Sequence, residues 1–151
     1  MRKYHSCKPT SVVNPLNIKW RINKNIRIAI YLNKRHGGTY VYLRSNGELI
    51  GTAALQPKKI NSEKYVEITS LYVKEPYRNK GIGSIVLKEI LQFVKERGFK
   101  GILGHIMHAD SLENIKRRSN FYLKNNAEIK LKGYKKTFKG ERVPILQFIL
   151  T

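Results

Sequence analysis

One cysteine, one tryptophan and one aspartate occur in 151 residues, and no apolar run reaches the length of a membrane span. Cys7 has no internal partner, which excludes a disulfide scaffold and makes a reducing cytoplasm the expected compartment. A spanning helix needs about 18 consecutive apolar residues or more, and none is present. The first residues, Met1-Arg2-Lys3-Tyr4-His5-Ser6, are basic but lead into no apolar stretch, so no secretory signal is expected. With Asp110 the sole aspartate, no Ser-His-Asp arrangement can be drawn. His36, His105, His108 and Cys7 lack the spacing of a metal site, so no metal is expected. At 41% hydrophobic residues, the chain is a folded domain and not a charged tail. Its length suits one domain over 1–151, with the proline-bearing residues 1–16 as an irregular arm.

Acidic residues are also scarce. Ten Asp and Glu face 30 Lys and Arg, for a net charge of +20. Such a field draws polyanions and repels cationic partners. It suits an acidic macromolecule such as RNA or DNA, or a ligand with several phosphate charges, or it reflects a composition rich in Lys, Ile and Asn. Lys outnumbers Arg 20 to 10, whereas specific base readout leans on Arg. Monomer and homodimer are equally compatible with the sequence.

Alternation of apolar and polar residues is the main guide to the elements. Asn17–Ile22 reads as a short strand and Asn25–Asn33 as a longer one, with a helix as the alternative there. Lys34–Gly38 is a turn. Thr39–Arg44 and Glu48–Gln56 are strands joined by Ser45-Asn46-Gly47, and Asn-Gly is a strong hairpin signal because both residues tolerate positive φ. Pro57–Glu63 reads as a polar loop, and Lys64–Val73 as a strand stopped by Pro76. Gly81–Arg97 repeats apolar residues at helical spacing, with Gly98 at its end. Gly101–Met107 is a strand. Asp110 with Glu113 predicts a capping box for a helix over Ser111 to about Asn125. Strands near Ala127–Tyr134 and Arg142–Leu150 close the chain. The order implies an α/β sheet of mixed strand directions.

The most informative segment is 65–84. An apolar strand ends, a loop carries Arg78 and Lys80, and Gly81 and Gly83 open a long helix. The first N–H groups of a helix have no intrahelical partner and the dipole favours negative charge there, so this turn is a candidate anion site. Neither G-x-G-x-x-G, which fails at Val86, nor the P-loop pattern fits.

The pattern [QR]-x-x-G-x-[GA], met by Arg78, Gly81 and Gly83, resembles the cofactor motif of GNAT N-acetyltransferases. Phe121-Tyr122-Leu123-Lys124 with Ala127 resembles the second signature of that family, with Asn126 where a glycine is usual. The resemblance runs from residue 39 to the end. It implies a GNAT-like, mostly antiparallel twisted sheet with a central β-α-β-α cofactor-binding core and few N-terminal helices, and acetyl-CoA as the cofactor. It further implies that the main chain at Leu71, Tyr72 and Val73 pairs with the pantetheine arm. The N–H groups of Arg78, Asn79, Lys80, Gly81, Ile82, Gly83 and Ser84 would hold the pyrophosphate. Asn114 stands near the motif's upstream asparagine, one residue out of register.

Acyl transfer to an amine needs the amine deprotonated. For an amine of pKa near 10.4 this costs about 4–5 kcal/mol at pH 7. The resemblance marks Tyr122 as the acid for the leaving thiolate and Glu67 as base. Strand alternation puts Glu67 on one face with Thr69, Leu71 and Val73. His108, at the end of the next strand, is a second candidate base, and an electropositive site that lowers the amine pKa is a third solution. The expected function is an acetyl-CoA-dependent N-acetyltransferase acting on a primary amine. The alternative is a basic nucleic-acid- or ribosome-associated protein that keeps the fold with little or no catalysis.

Overall fold

The computed structural model describes residues 19–23, 26–33, 38–106 and 111–151, with only the backbone of 19–23 and 31–33. The arm over 1–16, Met107, His108 and Asp110 lie outside the described residues. The elements run β1 (Lys19–Asn23), β2 (Ile26–Asn33), β3 (Gly38–Ser45), β4 (Glu48–Ile60), β5 (Glu63–Val73), α1 (Ile82–Lys95), β6 (Gly101–Ile106), α2 (Leu112–Lys124), β7 (Glu128–Lys136) and β8 (Arg142–Leu150). They form one sheet in the order β1-β2-β3-β4-β5-β6-β8-β7. Every neighbouring pair is antiparallel except β5 and β6. Parallel neighbours need a crossover, and α1 supplies it.

The hydrophobic cluster lies between one face of the sheet and both helices. It joins Ile28, Ile30, Val41, Leu43, Val66, Ile68, Ile102 and Phe148 of the strands to Val86, Ile90 and Phe93 of α1 and Ile115 of α2. The alternation of β2 settles its identity as a strand, since Ile26, Ile28 and Ile30 all enter this cluster. Phe93 and Phe148 are almost wholly inaccessible, and truncation of either to Ala costs about 3–5 kcal/mol in such a setting.

The hairpin at Asn46-Gly47 forms as the sequence predicts, with φ of 51° and 85° and Ser45 opposite Glu48. The polar loop expected over Pro57–Glu63 does not form. β4 continues to Ile60, and Asn61 and Ser62 (φ 49° and 70°) make a two-residue turn into β5. Among the described residues the pairing of β3 with β4 runs to Thr39 and Leu55, and Pro57 pairs with Val66 of β5. Proline is tolerated in a strand where its missing N–H is not needed by the ladder. The start of α2 also differs: Ser111 caps it, its Oγ accepting from Asn114 N–H at 3.2 Å.

One irregularity changes the functional reading. The β4–β5 register pairs Leu55 with Ile68 and Ala54 with Ser70, which leaves Thr69 as a bulged residue. A bulge reverses the alternation beyond it. Val66 and Ile68 before the bulge, and Leu71 and Val73 after it, therefore all pack on the helix side. Glu67 falls on the opposite face, away from Leu71 and Val73, which corrects the shared face expected from strict period-two alternation.

Candidate active site

The parallel ladder between β5 and β6 has three registered pairs, from Tyr65 with Gly101 to Glu67 with Leu103. β5 then runs on to Val73 and β6 to Ile106. Past the bulge, the edge of β5 that faces β6 has no strand partner among the described residues. The main chain of Leu71, Tyr72 and Val73 lines one side of this opening. Leu71 and Val73 turn their side chains to the helix side, while Tyr72 is exposed.

The loop after β5 is braced. Lys74 N–H donates to Ile50 O at 2.8 Å, and Tyr77 Oη donates to Glu48 Oε1 at 2.6 Å. That hydrogen bond to a carboxylate raises the Tyr77 pKa. Arg78 folds back: its Nε donates to Val73 O at 2.6 Å, and its guanidinium lies 5.2 Å from the Tyr72 ring. Its N–H donates to Glu75 O at 3.1 Å. The Arg78 N–H is thus engaged in a 3₁₀ turn, unlike the anion-binding group expected of it, and the candidate donors begin at Asn79.

Asn79 takes φ 61° and Gly81 φ 79°. Gly81 is the N-cap of α1 and makes no side-chain cap bond. The first helical hydrogen bond runs from Ile85 N–H to Gly81 O at 3.1 Å, so Ile82, Gly83 and Ser84 have no intrahelical acceptor for their N–H groups. A Cβ at Gly81 would meet nothing within 4 Å. This open, uncapped helix start, with exposed Lys80 beside it, fits an anionic group such as a pyrophosphate. Ile82 is buried and anchors the turn to the core. Gly83 is closely packed: a Cβ there would lie 3.1 Å from the Phe121 ring, which would have to give by a few tenths of an ångström, so the first turn of α1 packs directly on α2.

Tyr122 follows Phe121 on α2. Its ring stacks on Phe148 at 3.9 Å and 12°, and meets Phe121 edge to face at 5.0 Å. Phe148 is paired with Gly104, where β6 has just parted from β5, so Tyr122 sits on the helix side beside the opening. Burial pushes its phenol up to about 12, with Arg118 pulling weakly the other way. Tyr122 is neutral and a hydrogen-bond donor throughout the ordinary pH range. Asn114 lies on the same helix, but its side-chain oxygen accepts from Arg117 Nη2.

On the other face stands Glu67, with a side chain only 15% exposed. Its Oε2 is 3.7 Å from His105 Nδ1 and 3.8 Å from Lys58 Nζ. His105 is the residue that sequence reasoning passed over in favour of His108, which lies outside the described residues. The missed signal was topological. In parallel neighbours with Glu67 opposite Leu103, the residue two beyond Leu103 returns to the Glu67 face. The opening thus has a phenol on one side and a carboxylate–imidazole pair on the other.

The fold has known counterparts. The family model for the Acetyltransferase (GNAT) family matches residues 6–117. Among curated proteins, N-acetyltransferase 8 of Mus musculus is 29% identical over 75 residues, covering 48% of this chain and 33% of the relative. The Rattus norvegicus protein of the same name is 28% identical over the same length. This chain therefore spans about a third of the length of the curated relatives it matches. A GNAT family acetyltransferase from Elizabethkingia anophelis, solved with acetyl-CoA bound, superposes with a TM-score of 0.59 at 18% identity, covering 85% of this chain and 99% of that one. Arabidopsis thaliana Naa50, in complex with a bisubstrate analogue, gives 0.52 at 21% identity over 72% of this chain and 70% of its own. With the family model matched over most of its length, and with that fold, the chain belongs to the GNAT acetyltransferase family.

Proposed function

We propose that this protein is an acetyl-CoA-dependent N-acetyltransferase that acylates a primary amine. The observation that carries the reading is the opening between β5 and β6, with Tyr122 on its helix side, the Glu67–His105 pair on the other and the uncapped start of α1 at its end. The N–H groups of Gly81 to Ser84, with Lys80, hold the pyrophosphate, and the free edge of β5 at Leu71–Val73 pairs with the pantetheine amides. When bound, acetyl-CoA supplies an activated acyl group as a thioester. Glu67, through His105 or a water, would take a proton from the incoming ammonium. The neutral amine would form the C–N bond as the C–S bond breaks, and the second proton that nitrogen sheds would pass by the same route to solvent. The departing sulfur leaves on the Tyr122 side.

The raised phenol shapes that last role. A phenol raised to about 12 by burial is a weaker acid than an ordinary tyrosine, so it donates a hydrogen bond to a thiolate more readily than it gives up its proton. Tyr122 therefore holds the thiolate by a charge-assisted hydrogen bond, and solvent completes its protonation. At the other end, offsetting the 4–5 kcal/mol of amine deprotonation falls to Glu67 and His105, helped by the field of a +20 chain. The lone cysteine fits a cytoplasmic location, carried as part of the same proposal.

The test is an amine panel assayed for release of free coenzyme thiol, with native mass spectrometry of the purified chain for bound coenzyme A. Turnover of at least one amine supports the reading. A chain that neither retains nor binds coenzyme A contradicts it.

A further inference from the structure

The β7–β8 hairpin lies at the edge of the sheet, separated from the β5–β6 opening by β6 itself. Its tip is ordered. Thr137 N–H donates to Glu141 O at 2.7 Å, Gly140 N–H to Thr137 O at 2.9 Å, and Glu141 N–H to Thr137 Oγ1 at 3.1 Å. This hydrogen-bonded turn leaves Phe138 fully in solvent, at 106% relative exposure. Four residues earlier Tyr134 is 52% exposed, with the Arg142 guanidinium 4.4 Å from its ring centroid. Lys132, Lys135, Lys136, Lys139 and Arg142 of the hairpin are exposed, with Lys136 and Arg142 on the face of Tyr134, and Glu141 is the one carboxylate of the turn.

Lysines on an edge strand discourage pairing with another strand. That accounts for Lys132 and Lys135, but not for an aromatic ring presented outward from a turn fixed by three hydrogen bonds. A second copy of the chain is disfavoured as the occupant, because two +20 molecules repel. A bilayer is disfavoured as well: even a single myristoyl chain gives only marginal membrane binding, and one phenylalanine offers less apolar surface. What combines ring faces with closely spaced cations is a strand of unpaired bases joined by phosphates.

We infer that the β7–β8 hairpin is a docking surface for single-stranded nucleic acid. Phe138 and Tyr134 stack on bases, Arg142 stiffens the Tyr134 platform, and Lys136, which shares the face of Tyr134 and Arg142, contacts phosphates together with Lys139. Strand β8 begins at Arg142 and meets the end of β6 only at Leu146, so the tip projects from the same end of the sheet as the opening. Nucleic-acid binding, not acetyl transfer, is the readout that tests the surface.

The experiment is fluorescence anisotropy of the full chain with labelled oligothymidylate of about 15 nucleotides, within the range of single-strand site sizes. Duplex DNA of equal length and vesicles containing phosphatidylserine are run beside it. The single strand is expected to bind tightest. Phe138→Ala should raise its Kd about tenfold, the order expected for loss of one stacking contact, and Phe138→Trp should restore it. Lys136→Gln with Lys139→Gln should flatten the salt dependence. A Phe138→Ala variant with wild-type affinity, a duplex bound as tightly as the single strand, or preferential sedimentation with the vesicles would each overturn the inference.

Discussion

His105 Nδ1 lies 3.7 Å from Glu67 Oε2, although the two residues belong to neighbouring parallel strands with a helix between them in sequence. The contact exists because β5 and β6 part just beyond Glu67, while His105 keeps to the face that Glu67 occupies. At that separation a bridging water or a small shift completes a proton path.

Glu67→Gln removes the carboxylate at nearly constant volume. We expect kcat/KM to fall by about 10²-fold, and the acidic limb of its pH profile to move or vanish. His105→Ala should give a smaller loss in the same limb. A Gln variant with near-normal activity, whose rate tracks amine deprotonation and drops as salt is raised, would instead assign the step to the protein's positive field.

Tyr122→Phe keeps the stack on Phe148 and deletes the donor. Turnover should fall about 10²-fold, with coenzyme A affinity nearly unchanged. Because the phenol is raised to about 12, the wild-type rate profile should show no alkaline limb from this group below about pH 11. Steady-state assays from pH 6 to about 10 check both statements, and a wild-type limb abolished by the Phe variant inside that range would contradict the second.

The same shift predicts a stability effect. Tyr122 is raised in the folded chain from 10.0 to about 12, so the folded state holds its proton longer than the unfolded one. That contribution is fully present below the unfolded value of 10 and is lost as pH climbs to about 12. Its size is on the order of 3 kcal/mol, from two units at 1.36 kcal/mol each. Denaturant melts at about pH 9 and 11.5 should show wild type losing more stability than Tyr122→Phe between the two.

Ser111 caps the helix that carries Tyr122. Ser111→Ala should cost about 1 kcal/mol of unfolding free energy, and Ser111→Asp should restore most of it. Urea unfolding of the two variants measures this, and an Ala variant as stable as wild type would show that the cap bond contributes nothing.

Much of the fold was legible because it rests on local rules. Asn46-Gly47 specified its hairpin, the isoleucines of β2 specified a strand, and the spacing of Ile82, Val86, Ile90 and Val94 specified α1. The turn from Arg78 to Ser84 was legible for the same reason, since a strand, a glycine pair and a helix are consecutive in sequence. What failed depended on partners. Pro57 reads as a loop residue in the sequence, and its place in β4 shows only in the pairing with Val66 of β5. The bulge at Thr69 has no signature of its own in Thr-Ser-Leu, yet it moves Glu67 to the face opposite Leu71 and Val73. His105 became a site residue only once β6 was placed beside β5.

The decisive measurement is calorimetric titration of the wild-type chain and its Gly81→Asp variant with coenzyme A. Gly81 sits at φ 79° in open space at the uncapped start of α1, and an aspartate puts a negative charge where the pyrophosphate belongs. Wild type is expected to bind one equivalent with Kd between about 1 μM and 1 mM, the usual span for enzyme substrates. The variant should lose at least about tenfold in affinity, or about 1.4 kcal/mol, while its thermal unfolding remains cooperative. No binding by wild type, or equal binding by both proteins, would contradict a cofactor slot at this turn.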